Sequence, residues 1–232
     1  LATSDRIDPE SLKNNTITPN AFASASKDYT YYEGLAAYTD GDNFDEALAE
    51  EYKTTAIEEL TAAGATFPIK MLMCYNPTSA NWAQECQVVE QQIETVLGAD
   101  YVDIIIQAGP ETGFLGAIRR TGNYAFMKCN WGADYADPET WTDPFSTDSS
   151  YSFIFKSTDP ETQALYAEYT ELVDAAKAIT DDMDARYAAF AKAEAFLLDH
   201  AFAIPFSISN RSYQMCNLNV FEGQYASFGM AN

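Results

Sequence analysis

The most chemically distinctive stretch of this 232-residue sequence is Trp131-Gly132-Ala133-Asp134-Tyr135-Ala136-Asp137-Pro138. It places two aromatic rings and two carboxylates at the end of an apolar run, residues 124–131 (Y-A-F-M-K-C-N-W), that reads as a strand. In α/β sheets, ligands bind beyond the carboxyl ends of the strands. Residue types alone leave two readings open. In the first, Trp131 and Tyr135 wall a ligand platform, and Asp134 binds a cation such as an ammonium. In the second the stretch is a turn: Asp137-Pro138 is turn chemistry, and Asp134 caps local backbone amides. A glycosidase-like carboxylate pair is a weaker case. Asp134 and Asp137 stand three residues apart next to a proline, and no second constellation supports them.

Other residues able to do chemistry are few. The sole histidine, His200, sits at the end of an expected helix, where a cation suits the macrodipole. A zinc site or a Cys–His nucleophile pair would have to use it. The cysteines Cys74, Cys86, Cys129 and Cys216 form no C-x-x-C pair. Cys74 and Cys129 lie inside apolar runs, so buried free thiols are expected. Asp40-Gly41-Asp42-Asn43-Phe44-Asp45, with Glu51 beyond it, has a faint likeness to a calcium loop. It fails where Phe44 and Asp45 replace a ligand and the required glycine. A turn leading into a helix cap is the expectation there. No cofactor or metal is expected.

The elements that must position these groups are read from periodicity. Residues 1–44 are weakly periodic and read as irregular structure with short strands or turns. Asp45 can cap a helix carrying Leu48, Tyr52, Ala56, Ile57, Leu60 and Ala63, stopped by Gly64. Residues 68–74 read as a strand. Ser79 opens a second helix with the strongest apolar stripe of the chain, Trp82, Cys86, Val89, Ile93, Val96 and Leu97, ended by Gly98. Residues 101–107 form another strand, so strand, helix and strand make a βαβ unit with parallel strands. A short helix over 111–120, the strand 124–131 and a loop over 132–150 come next. Two helices come after the loop, one with Leu165, Tyr169, Leu172 and Ala176. The other starts near Thr180, with Asp181, Asp182 and Asp184 in its first turn, and carries Met183, Tyr187, Phe190 and Leu197. Residues 203–209 and 212–216 read as late strands. The fold class is α/β, with a mixed sheet and flanking helices.

Composition narrows the function classes. Hydrophobic residues make up 47% of the chain, which suffices for a packed core. The 35 acidic and 13 basic side chains leave a net charge of −22. Phosphates would be repelled, so no nucleic-acid partner is expected, nor docking on anionic lipid. No apolar run is long enough for a membrane-spanning helix. The start, Leu1-Ala2-Thr3-Ser4-Asp5, has neither an initiator Met nor a signal peptide, and reads as a mature or excised piece of a longer chain.

The string W-G-A-D-Y-A-D-P resembles the W-x-A-D-Y-x-D/E-P motif of oligopeptide- and dipeptide-binding proteins, the extracytoplasmic solute-binding components of peptide ABC transporters (bacterial solute-binding protein family 5). The likeness extends to Tyr38-Thr39-Asp40-Gly41-Asp42-Asn43-Phe44-Asp45 with the helix after it, to the strand–helix–strand over 68–107, and to residues 184–206. That last segment (D-A-R-Y-A-A-F-A-K-A-E-A-F-L-L-D-H-A-F-A-I-P-F) is similar to the family's R-x-x-x-[YF]-x-x-A-E-x-x-L…I-P pattern. Together these cover roughly residues 28–216.

The resemblance implies a periplasmic-binding-protein type II fold and a single C-terminal lobe over 1–232. Residues 1–44 would be a lead-in, 45–216 the α/β core and 217–232 a tail toward an N-terminal lobe absent from this sequence. It implies capture of short peptides by hinge closure, without catalysis, for an ABC transporter permease, outside the cytoplasm. The location would be periplasmic, or lipid-anchored at the outer face of the membrane. Asp134 would pair with the peptide's α-amino group. Asn130, Trp131 and Gly132 would give backbone hydrogen bonds to the extended peptide, with Trp131 also walling a side-chain pocket. Tyr135 would be half ligand shell and half core. Relatives that bind nickel chelates lack an acid at the position of Asp134, so the acid favours an amine-bearing ligand. A peptide-sensing protein of the same fold, or a binder of another amine or metal-chelate solute, is the alternative. For the peptide's carboxyl end, Lys128, Arg119, Arg120 and Arg211 are candidates that no motif fixes, with a solvated surface charge as the plain alternative for each.

Overall fold

The computed structural model describes residues 12–13, 15–19, 34–39, 44–151, 153, 157–205 and 207–208. In chain order the elements are β1 (Leu12–Lys13), α1 (Ala36–Thr39), α2 (Glu46–Ala62), β2 (Ile69–Tyr75), α3 (Trp82–Leu97), β3 (Val102–Ala108), a π-helical turn (Leu115–Arg119), β4 (Phe126–Met127), α4 (Glu139–Thr142), a 3-10 turn (Asp143–Phe145), α5 (Pro160–Lys177), α6 (Met183–Asp199) and β5 (Ser207–Ile208). They fall into two units. One is Leu1–Pro9 with Asp42–Asn130, the other Glu10–Gly41 with Trp131–Asn232. Positions 40–43 of the calcium-loop likeness, the strand 212–216, Phe206, Arg211, Cys216 and the tail 217–232 lie outside the described residues.

In the first unit the β2–α3–β3 segment forms the expected βαβ arrangement. β2 pairs parallel with β3, from Ile69 opposite Val102 to Tyr75 opposite Ala108. It pairs parallel with β4 on its other side through Met73–Phe126 and Cys74–Met127. α3 lays its stripe on this sheet, burying Cys86 and Val89 against Met73 and Ile104, with Met71, Tyr75, Ile93, Ile106 and Phe126 around them. The helix begins at Trp82 rather than Ser79: the residue before it, Asn81, has a left-handed φ of 66° and gives no side-chain cap. Gly98 ends it at φ 92°, a left-handed conformation that favours glycine. The α3 carboxylate of Glu94 accepts a hydrogen bond from the Ile104 amide at 2.9 Å and so occupies a donor on the outer strand β3.

Three expectations for this unit need correction. Asp45 does cap α2, accepting from the Leu48 amide at 2.9 Å. The stripe behind it is half out of place, because Leu48 and Tyr52 are exposed and only Ala56, Ile57 and Leu60 are half-buried. α2 packs on α3, and none of its residues is fully buried. The helix over 111–120 shrinks to the single π-helical turn, entered through Gly113 at φ 71°. The strand over 124–131 keeps only two residues, although the Lys128 amide still donates to the Cys74 carbonyl at 2.8 Å. Cys74 and Cys86 are buried free thiols, and burial pushes the Cys86 thiol up to about 11 against the pull of Lys128. Cys129 is free but exposed, because the chain leaves the sheet before reaching it.

The second unit is built on α5 and α6. Asp159 caps α5, accepting from the Thr162 amide at 2.8 Å and its hydroxyl at 2.9 Å, and these bonds hold the Asp159 carboxyl below its ordinary range. Pro160 comes next, where a missing N–H costs nothing. Asp182 caps α6 through the Ala185 amide at 3.0 Å, so the helix begins at Met183 and Asp181 precedes it. Tyr166, Tyr169, Val173 and Ala176 of α5 interlock with Tyr187, Phe190, Ala191, Ala193 and Leu197 of α6, with Leu35 in the same cluster. Met183, expected on the stripe, is exposed. His200 caps the carboxyl end of α6, its ring 4.3 Å from that of Phe196.

Within this core the Tyr169 hydroxyl donates to the Thr142 carbonyl at 2.8 Å, and burial, then the charges of Glu194 and Asp143, hold the phenol well above its ordinary pKa. Tyr169→Phe leaves that carbonyl unmet and is expected to destabilise the protein by about 1–3 kcal/mol. Chemical denaturation checks this, with the slope unchanged. The other buried polar tie is Glu194. It is wholly inaccessible to solvent and accepts from the amides of Ile17 (2.7 Å) and Thr18 (3.2 Å) and from the Thr18 hydroxyl (2.6 Å). β1 adds a short antiparallel ladder to β5. Among the described residues the mixed strand directions are thus divided between two sheets, one of three parallel strands and one of two antiparallel strands.

Candidate functional site

The candidate stretch starts where β4 has run out. Asn130 is the last residue of the first unit, and Trp131 opens the second. Thr140 in α4 organises the stretch from Trp131 to Asp134. Its carbonyl accepts the Trp131 indole N–H at 2.6 Å, and its hydroxyl oxygen accepts the Asp134 amide at 3.1 Å. The Trp131 ring is boxed edge-on by Tyr151 (4.7 Å) and Phe153 (5.8 Å). The indole therefore has its polar handle committed and only part of its ring free to wall a pocket. Gly132 is exposed, and a Cβ there would meet nothing within 4 Å.

The two carboxylates have separate fates. Asp137 is consumed by structure: one oxygen accepts the Glu139 amide at 2.9 Å, and the pair of oxygens takes a two-pronged ion pair from Arg186, 3.0 Å to Nε and 3.0 Å to Nη2. The same Nη2 reaches Glu139 at 2.6 Å. Asp137 is thus the turn-former that its place before a proline suggests. Asp134 is not. Its side chain is exposed, and among the described residues it makes no hydrogen bond or ion pair. The loop spends the Asp134 amide, its indole and its other acid on holding itself, and leaves one carboxylate facing solvent. A fixed, uncompensated anion beside partly exposed aromatic surface can receive an ammonium. It cannot act with Asp137 as an acid–base pair, because Asp137 is locked to arginine. Tyr135 is 48% exposed. Burial, and then the charges of Glu139, Asp137 and Asp143, push its phenol up to about 12, so it stays a neutral donor through the physiological range.

Two of the candidates for a peptide carboxylate are not solvated charges. In the first unit, Lys128 pairs with Glu85 at 2.8 Å and lies 5.3 Å from the Trp82 ring centroid. Arg119 is buried in the π-helical turn. Arg120 is exposed, and Arg211 lies outside the described residues. Arg186 and Thr140 are the residues that sequence reasoning misses. Arg186 stands inside the D-A-R-Y string, but nothing local shows that its partner lies 49 positions back.

No family model matches the chain. Its sequence is 33% identical over 175 residues to the oligopeptide-binding protein AmiA of Streptococcus pneumoniae, covering 70% of this chain and 26% of that protein. The chain thus spans about a quarter of the length of that curated relative. Among solved structures, a peptide-binding protein of a peptide ABC transporter superposes with a TM-score of 0.65 at 23% identity, over 85% of this chain and 80% of that one. Haemophilus influenzae OppA in complex with RPPGFSPFR gives 0.61 at 21% identity, over 85% of this chain and 34% of that one. The periplasmic-binding-protein type II fold expected from the motifs is the fold of these neighbours.

Proposed function

We propose that this chain, a relative of the oligopeptide-binding proteins in sequence and in fold, forms the C-terminal lobe of the peptide-capturing component of an ABC transporter. One observation carries the reading: Asp134 presents an exposed carboxylate with no partner among the described residues, on a loop whose Trp131 indole, Asp134 amide and Asp137 carboxylate are tied down. The physical reason for such an anion is the α-amino group of a peptide. An ammonium moved into a water-poor cleft needs a charged acceptor, and a charge-assisted bond is roughly twice as strong as a neutral one.

The irregular backbone at Asn130, Trp131 and Gly132 supplies amide and carbonyl groups to an extended peptide. Such bonds read no side chain and accept many sequences. The ring of Trp131 and the neutral phenol of Tyr135 line the position of the first peptide residues. An N-terminal lobe of the same protein closes over the peptide by hinge motion, and the closed form docks on a permease at the outer face of the membrane. No catalytic step is part of this reading.

Full-length protein tests it. Peptides retained from a casein digest are identified by mass spectrometry, resynthesised with free and N-acetylated amino ends, and titrated by calorimetry. The free form is expected to bind roughly 30-fold tighter or more, the lower end of what an unpaired buried charge costs. Equal affinities would remove the role given to Asp134.

A further inference from the structure

We infer that Arg186 is a positioning residue for amine recognition: it sets where the Asp134 carboxylate stands, acting through Asp137, Glu139 and Thr140. The inference rests on the proposed function and extends it to a residue on another element. Arg186 lies in the first turns of α6 and its side chain is nearly buried. Its Nη1 donates to the carbonyls of Ala176 (3.3 Å), Lys177 (3.1 Å) and Ile179 (3.2 Å), at the end of α5. Its guanidinium carbon lies 4.8 Å from the Phe190 ring centroid. Its Nε and Nη2 hold Asp137 and Glu139. Burial works against the charge here, but the bonds and charges of the two acids outweigh it and raise the pKa above that of ordinary arginine. The fork is a fixed, permanently charged bracket between the α5–α6 core and the first residues of α4.

The bracket reaches Asp134 by a short route. Asp137 holds the Glu139 amide, Glu139 starts α4, and the next residue, Thr140, holds the Asp134 amide and the Trp131 indole. Each link is one hydrogen bond or one residue of helix. Loss of the bracket frees the start of α4. Thr140 then loses its fixed place, and the acid and the indole move together. A lysine cannot replace it, because a single ammonium cannot make the fork to Asp137 while meeting three carbonyls on its far side.

The test uses full-length protein and the same pairs of free and N-acetylated peptides. Arg186→Lys and the near-isosteric Thr140→Val are each compared with wild type for the ratio of free to N-acetylated affinity. Thermal unfolding is recorded in parallel. Each variant is expected to lower the ratio roughly tenfold by weakening the free peptide alone. The double variant should lower it no further than the more severe single one, because both break the same route. A purely structural role would weaken both peptides equally, and an unchanged ratio in both folded variants would overturn the inference. If wild type itself shows no preference, the proposed function falls first and the inference with it. If Arg186→Lys does not fold, Thr140→Val and Asp137→Asn decide the question in the same way.

Discussion

Asp134→Asn is expected to cut the affinity of the full-length protein for free-amine peptides by about 30-fold to several thousand-fold, and to leave N-acetylated peptides almost untouched. The substitution keeps shape and removes charge. Nothing else in the loop depends on the lost oxygen, because the carboxylate makes no bond to its own chain among the described residues. Folding is therefore expected to be unaffected, and the whole effect should appear in binding. The size of the loss also reports the surroundings of the bound amine. An ion pair left open to solvent is worth only about 0–1 kcal/mol, a change below roughly fivefold. A loss of 30-fold or more requires that closure strip water from the pair. Calorimetry of wild type and variant with both peptide forms separates the two cases.

Glu194→Ala is expected to produce a large loss of stability in the second unit. Its carboxylate holds the buried amide and hydroxyl of Thr18 and the half-buried amide of Ile17. The Thr18 hydroxyl can turn elsewhere, but the amides of Ile17 and Thr18 cannot. Each unmet buried donor costs about 1–3 kcal/mol, so a total of about 3 kcal/mol or more is expected, and a melting temperature lower by roughly 6–12 °C. Glu194→Gln keeps an acceptor oxygen for the amides and should cost less than half as much. Hydrogen exchange gives the local signature: in the alanine variant the amides of Ile17 and Thr18 lose protection, while those in the middle of α6 keep theirs. Equal protection in both proteins would mean that the segment is held by something other than this acid.

The legible parts of the fold are those set by local chemistry. Asp45 marks a helix start by accepting from an amide three residues on, as a short polar side chain before an apolar stripe announces. Asp159 and Asp182 do the same by the same chemistry, although the sequence pattern puts Asp182 inside its helix and does not single out Asp159. The βαβ arrangement is equally plain from apolar run, helical stripe and apolar run again. Sequence misleads where distant groups decide the outcome. Residues 124–131 have the composition of a strand, yet the strand ends at Met127 with one further bond from the Lys128 amide, and Trp131 is held by Thr140. The acids of the motif differ for the same reason. Asp134 and Asp137 look alike in sequence, and an arginine 49 positions downstream takes one and leaves the other. A signal for Glu194 is present in the sequence. Tyr187, Phe190, Glu194 and Leu197 recur at spacings of three and four, which puts a carboxylate on the buried side of α6, where it must find donors.

The bond from Glu94 to Ile104 has a consequence for how the protein behaves at high concentration. Among the described residues β3 is the outermost strand of its sheet, and a bare outer strand is a template on which another chain can add a rung. With a carboxylate of its own helix seated on a mid-strand donor, a docking strand would find that rung taken and a negative charge beside it. Strand addition at this edge is expected to be disfavoured at its centre by a side chain that local sequence patterns would assign to an ordinary helix surface.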